Sequence, residues 1–335
     1  MQLSDLDYDL PEAAIAQVPI EPRDAARLLV DRGPGAVPAH HGVRDLPDLL
    51  EPGDLLVVND TRVLPARLRL QRASGGAVEV LLLEALDDTA RRWEALVRPG
   101  RKLREGEEIR SGDLIVRVGP RRSDGTRAVE LCTDDPWGAL ARHGEVPLPP
   151  YLTQGIADPE RYQTVYARRP ASAAAPTAGL HLTAEVLDRL AARGVGLARV
   201  ELVVGIDTFR PVTEDDPTTH RMHTESYAVP AETMEACRRA RRVVAVGTTS
   251  ARALESAAAR QELVGRTDLF IHPPYDWKVV DLLLTNFHLP RTTLLLMIGA
   301  LVGPRWRRLY ETALAERYRF LSFGDAMLLQ RGVGP

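Results

Sequence analysis

An apolar run that breaks abruptly into polar side chains constrains this sequence most: Val279, Val280, Leu282, Leu283 and Leu284 lead into Asn286-Phe287-His288-Leu289-Pro290. The run reads as a buried strand, and the proline stops its pairing. An amide, an aromatic ring and an imidazole are thereby left at a strand end, where open α/β sheets carry binding and catalytic groups. An Asn-x-His there also forms an ordinary satisfied turn. Other segments tip the balance, because Pro176-Thr177-Ala178-Gly179-Leu180-His181, Thr208-Phe209-Arg210-Pro211, His220-Arg221-Met222-His223 and Gly247-Thr248-Thr249-Ser250 also set polar or flexible residues beside element ends.

A second run, Asp54-Leu55-Leu56-Val57-Val58, ends in the turn and cap formers Asn59-Asp60-Thr61-Arg62. After it the pattern changes to short β-type segments at 77–83, 93–97, 114–118 and 128–131, separated by Gly75-Gly76, Pro99-Gly100 and Asp124-Gly125. That spacing predicts a small antiparallel sheet or barrel, closed off by a stiff linker at Pro147, Pro149 and Pro150. From about residue 160 helix and strand alternate. Thr183 as N-cap and Gly194 at C′ bracket one helix, and others are expected from Pro230 at N1, from Ser250 and from Leu294. Strands are expected at 197–204, 243–246, 269–271 and 279–284. The Ala-rich stretch 171–175 reads as a helix start or a loop, and Asp325 as the N-cap of a last helix. The fold class is therefore α/β: a mixed α/β domain of residues 1–66 and 151–335, interrupted by a small antiparallel β-barrel domain of residues 67–150.

The balance of 44% hydrophobic and 27% charged residues over 335 positions is that of a soluble globular protein. The start is acidic and carries no apolar signal region, and the apolar run 294–302 is too short to span a bilayer, so a cytoplasmic protein without membrane attachment is expected. Two cysteines, far apart, suggest neither a disulfide framework nor a zinc knuckle. A net charge of −3 argues against coating by nucleic acid through bulk charge. Local basic patches remain at Arg91-Arg92, at Arg98 with Arg101-Lys102, and at Arg238-Arg239 with Arg241-Arg242.

Gly247-Thr248-Thr249-Ser250 joins a Val-rich strand to a helix, either as a simple cap or as a cradle for a carboxylate, phosphate or ribose. It lacks the lysine of a P-loop and the spacing of a dinucleotide fingerprint. His220 and His223, three apart and near Glu225, have the spacing of a metal pair, but no His-Glu-x-x-His or cysteine partner supports one; no metal is expected. Arg62 and Arg210 are anion anchors or surface ion pairs.

Together these segments form an ordered set that resembles the S-adenosylmethionine:tRNA ribosyltransferase-isomerases of queuosine biosynthesis. It runs from Asp5-Leu6-Asp7-Tyr8-Asp9-Leu10-Pro11 through Asn59-Asp60-Thr61-Arg62-Val63-Leu64-Pro65, Gly144-Glu145-Val146-Pro147-Leu148-Pro149-Pro150-Tyr151 and Pro176-Thr177-Ala178-Gly179-Leu180-His181 to Asn286-Phe287-His288-Leu289-Pro290 and Asp325-Ala326-Met327-Leu328. The resemblance covers essentially the whole chain. It implies an α/β domain interrupted by a β-barrel, and an enzyme that moves and isomerises the ribosyl unit of S-adenosylmethionine. The acceptor it implies is 7-aminomethyl-7-deazaguanine in a tRNA anticodon loop, with adenine and methionine leaving. S-adenosylmethionine is then a co-substrate, no further cofactor is expected, and the chain is expected to act as a monomer.

The resemblance implies His181, His223 and His288 as candidates for proton transfer. For substrate binding it implies Asn59, Asp60, Arg62, Thr177, Gly179, Arg210, His220, Gly247, Thr248, Thr249 and Asn286. The sequence departs from the family pattern at Ala26, Ala171, Leu182, Val203 and Asp207. Those departures leave open a relative that serves a free deazapurine nucleoside or another amine, or one that binds RNA without turnover.

Overall fold

The computed structural model describes residues 1–123, 125–205, 214–220, 222 and 224–332. Strands β1 (Arg27–Val30), β2 (Ala39–Gly42) and β3 (Leu55–Asn59) precede a short β4 (Thr61–Val63). The chain then enters β5 (Arg67–Arg72), β6 (Ala77–Ala85), β7 (Arg92–Arg98), β8 (Glu108–Ser111), β9 (Leu114–Arg121) and β10 (Arg127–Leu131). Because β5 pairs with both β6 and β8, the order β5-β6-β7-β10-β9-β8 closes into a six-stranded antiparallel barrel. Alternation does the filling: Leu68, Leu70, Val78, Val80, Leu82, Trp93, Ala95, Val116 and Val118 point inward to a core of their own. The strand β11 (Gly144–Glu145) adds to β5, and β12 (Arg169–Ser172) then pairs in parallel with β4.

The chain completes a nine-stranded sheet with β13 (Gly196–Leu202), β14 (Glu225–Ala228), β15 (Val243–Val246), β16 (Val264–Thr267), β17 (Leu282–Asn286) and β18 (Ala326–Gln330), in the order β16-β14-β13-β3-β15-β17-β18-β1-β2. The two-residue period of a strand divides its core. Leu55, Val57, Val243, Ala245 and Leu283 face one cluster, whereas Leu56, Val58, Val244, Val246, Leu282 and Leu284 face the other. Of the helices, α1 (Leu46–Leu49) and α3 (Ala184–Ala192) cover the second face. The barrel carries α2 (Pro136–His143). On the first face lie α4 (Ala231–Arg239), α5 (Gly247–Arg260), α6 (Thr293–Val302) and α7 (Arg305–Ala315). As expected, Thr183 caps α3 by accepting from Val186 N at 3.2 Å, and Gly194 follows it at φ +78°. Strands β13, β3, β15 and β17 run parallel, so their carboxyl ends share one edge; β18 runs against β17 and begins at that edge.

Several local expectations are corrected. The strand expected at 279–284 starts only at Leu282, because the amides of Lys278, Val279 and Val280 donate instead to the buried carboxylate of Glu255, at 2.9, 2.9 and 3.0 Å. The strand expected at 269–271 is absent: Leu269 spends its N–H on Thr267 Oγ1 and its carbonyl on Arg252, and the ladder lies at β16 instead. No helix follows Asp325. Its carboxylate takes the amides of Arg27 at 2.9 Å and Arg319 at 2.7 Å, and β18 is buried between β17 and β1, so its sequence shows no alternation. The Ala-rich stretch is neither helix nor loose loop. It begins in β12 and continues as buried chain through Ala175, whose small side chains fit between the sheet and the N-terminal segment. Pro230 stands at the N-cap of α4 rather than at N1.

Candidate active site

At the carboxyl edge of the large sheet the ends of β15 and β17, the segment 175–178 after β12, and the turn before β18 surround a pit of about 50 Å³. The first turn of α5 opens into it. Gly247 has φ +83°, a left-handed geometry that a side chain adopts only with strain, and it turns the chain straight from β15 into the helix. No side chain among the described residues caps α5, which leaves its first amides and the positive end of the helix dipole open toward an anion. Thr249, buried and lining the pit, has a hydroxyl with no hydrogen-bond partner among the described residues. Thr248 lines the same wall.

Opposite stand Asn286 and His288. The amide of Asn286 is aimed by two bonds, accepting from Thr177 Oγ1 at 2.9 Å and donating to Leu321 O at 3.1 Å. The His288 backbone is held at both polar groups: its N–H donates to Tyr310 at 3.0 Å, and its carbonyl accepts from Tyr8. Its ring Nε2 lies 2.9 Å from Thr285 Oγ1, while Nδ1 makes no hydrogen bond among the described residues. Burial drives its pKa down to about 3, so the imidazole is neutral at physiological pH. Among the described residues, none of the side chains lining the pit is a carboxylate, lysine or arginine.

The pH dependence of stability follows from that burial. A histidine near 6.5 when unfolded and near 3 when folded takes up a proton more readily in the unfolded chain between those values. Its contribution is full above about pH 6.5 and is lost as pH falls toward 3. His181 acts in the same sense, its pKa lowered mainly by burial. Urea midpoints measured from pH 7.5 to 4.5 are expected to fall, and to fall less in His288→Phe; parallel curves for the two proteins would contradict the assignment.

The other expected site residues lie elsewhere. His181 is outside the pit, with Nε2 2.7 Å from Gly324 O and Nδ1 3.2 Å from Ala178 O, so it pins two loops together. Asn59 is fully buried and clamps β3 to β13 through Leu202 N and O. Asp60 sits beyond β3 with Arg199 and Arg168 at 3.8 and 4.0 Å, its pKa raised chiefly by burial and further by Glu201. Arg62 pairs with Glu160 at the surface, and His220 with Glu214 at 3.0 Å. His223 and Arg210 lie outside the described residues. Among the described residues no three His, Cys, Asp or Glu side chains come together as a metal site.

Gly179 serves packing: a Cβ there would lie 1.9 Å from the Tyr166 hydroxyl. Gly179→Ala is expected to cost about 1–3 kcal/mol by overpacking, read as a lower denaturant midpoint that Tyr166→Phe in the same chain partly restores. Tyr8, Tyr151, Thr285, Tyr310 and Ser322 complete the site or its support, with the Tyr151 and Ser322 hydroxyls 2.7 Å apart. Periodicity gave no sign of them, since a buried tyrosine that holds a backbone group reads as one more core aromatic.

A family model described as "Queuosine biosynthesis protein" matches residues 3–329. The chain belongs to the queuosine biosynthesis family. A Symbiobacterium thermophilum member named S-adenosylmethionine:tRNA ribosyltransferase-isomerase is 54% identical, over 98% of this chain and all of its own. A Thermotoga maritima member of the same name is 46% identical over 98% of this chain and all of its own. A crystal structure of S-adenosylmethionine tRNA ribosyltransferase from Thermotoga maritima, 39% identical, superposes with a TM-score of 0.56, covering 97% of this chain and 99% of that one. Like these queuosine biosynthesis relatives, the chain is an enzyme of the transferase-isomerase class. No helix among the described residues is long and apolar enough to cross a membrane.

Proposed function

We propose that the chain transfers and isomerises the ribosyl moiety of S-adenosylmethionine onto 7-aminomethyl-7-deazaguanine at the wobble position of a tRNA, giving epoxyqueuosine in the RNA and releasing adenine and methionine. The names of the relatives support the donor and the RNA. The observation that carries the chemistry is a buried, neutral His288 with Nδ1 unengaged, in the same pit as the uncapped start of α5.

In this reading the methionine carboxylate docks on the α5 amides and the Thr249 hydroxyl, while Asn286 and Thr248 orient the nucleoside. The sulfonium withdraws electrons from C5′ and acidifies its protons, so that one can pass to a neighbouring base. With its N–H on Nε2 facing Thr285, His288 presents the Nδ1 lone pair and takes that proton. Burial makes the imidazolium a strong acid, suited to deliver the same proton to the departing adenine. One proton leaves C5′ and one reaches the purine as its bond to C1′ breaks; the acceptor amine bonds to the sugar and gives up a proton to solvent, and the C5′–S bond breaks as methionine leaves. No metal or further cofactor enters, one chain supplies every group named, and an RNA partner fits a cytoplasmic enzyme.

The test is adenine release from S-adenosylmethionine by purified protein. Release that requires tRNA bearing the aminomethyl base supports the proposal. Release with the free deazapurine nucleoside, or RNA binding with no release, would replace it by one of the two other readings.

A further inference from the structure

A second cavity, of about 230 Å³, lies between the outside of the barrel and the α/β body. This is below the roughly 300–1,000 Å³ of sites for drug-sized ligands and on the scale of one nucleobase. Barrel strands supply one wall: Arg67, Glu79 and Arg98 sit on the exterior positions of β5, β6 and β7, and Glu79 pairs in register with Arg98. Leu148 and the adjoining prolines give apolar surface, and Ala174 and Gly205 close the side toward the body.

The polar groups in this cavity are under-used. Arg67 Nε is buried and makes no hydrogen bond among the described residues, lying 3.8 Å from the Glu79 carboxylate. Arg98 is exposed and has no ion-pair partner among the described residues. The cavity also backs onto the pit. Residues 150 and 151, 174 and 175, and 204 and 205 each place one neighbour in the cavity and the next in the pit.

We infer that this cavity receives a guanine-type base flipped out of RNA, with Glu79 reading its Watson–Crick edge, Arg98 holding an adjacent phosphate, and the base's position 7 turned toward the pit. A carboxylate oxygen pair accepts in parallel from N1–H and the 2-amino group of guanine, and no other standard base offers those two donors side by side. The edge that carries a 7-substituent lies across the ring from those donors, so a base read by the barrel wall presents its 7-position to the α/β body. Leucine and proline faces sandwich the ring, and a guanidinium at the mouth suits the phosphodiester.

The inference rests on the proposed acceptor and deepens it, yet its test needs no turnover. Two anticodon stem–loop RNAs, identical except for guanosine or inosine at the wobble position, are the probes, and fluorescence anisotropy gives their affinities. Wild type is expected to favour guanosine roughly 10-fold, the loss of one charge-assisted hydrogen bond, and Glu79→Gln to bring the ratio near one. Arg98→Ala is expected to weaken both RNAs alike and to flatten the slope of log affinity against log salt by about one. Equal affinity of wild type for the two RNAs, or an unchanged preference in Glu79→Gln, would overturn the base pocket. Failure of wild type to release adenine with guanosine preference intact would instead overturn the reaction and leave the pocket standing.

Discussion

Replacing His288 by alanine is expected to slow adenine release roughly 10²- to 10⁴-fold, the range over which a positioned acid–base group contributes. The substitution removes the unengaged Nδ1 in the pit but leaves the backbone bonds to Tyr310 and Tyr8, which hold the strand end whatever the side chain. Binding of S-adenosylmethionine is therefore expected to change little if, as proposed, its carboxylate docks at α5. The loss should appear in kcat and not in the affinity for the donor. Free imidazole, small enough for the vacated space, is expected to restore part of the rate. Turnover of His288→Ala within a factor of three of wild type would remove the histidine from the chemistry.

The second large effect is on stability. Glu255 is fully buried in the middle of α5 and accepts from three consecutive amides and from Tyr275 at 3.2 Å. Glu255→Ala strands three amide donors, one buried (Val280) and two only partly buried (Lys278 and Val279); with about 1–3 kcal/mol for a buried donor and less for the others, a loss on the order of 3 kcal/mol is expected in urea titrations. Glu255→Gln keeps one carbonyl acceptor and is expected to lose about half as much. Because the proposed anion site lies at the start of α5, the alanine variant should bind S-adenosylmethionine less tightly at temperatures where it is still folded. A denaturant midpoint within the error of wild type would show that water replaces the carboxylate at no cost.

The sequence was most legible where burial is one-sided or where both faces are apolar and short. The barrel segments alternate because their inner face alone is covered, and β3 and β15 read as strands from their unbroken Val and Leu. Legibility failed where a distant side chain captured backbone groups. Val279 and Val280 have every propensity for a strand, yet their amides belong to Glu255, more than twenty residues earlier. Asp325 has the look of a helix cap because it does bind two amides, but one of them comes from Arg27 at the opposite end of the chain. In the pit, Asn286, His288, Thr248 and Thr249 were visible as polar residues at element ends. His181 and Asn59 share that position in sequence and are used up by carbonyls and amides of neighbouring segments, which only the three-dimensional pairing reveals.

The order of strands in the large sheet also bears on how the polypeptide is made. Every pairing in the barrel joins residues between Arg67 and Glu145, whereas β3 pairs with β13 and β15, and β1 with β18, the final strand. During synthesis the barrel can therefore close while the amino-terminal strands emerge from the ribosome with no partner but β2. Leu56 and Val57 stay open to solvent or to a chaperone until β13 and β15 are made, and Leu28 and Leu29 until β18 is made. The nascent chain is most vulnerable to aggregation at β1 and β3.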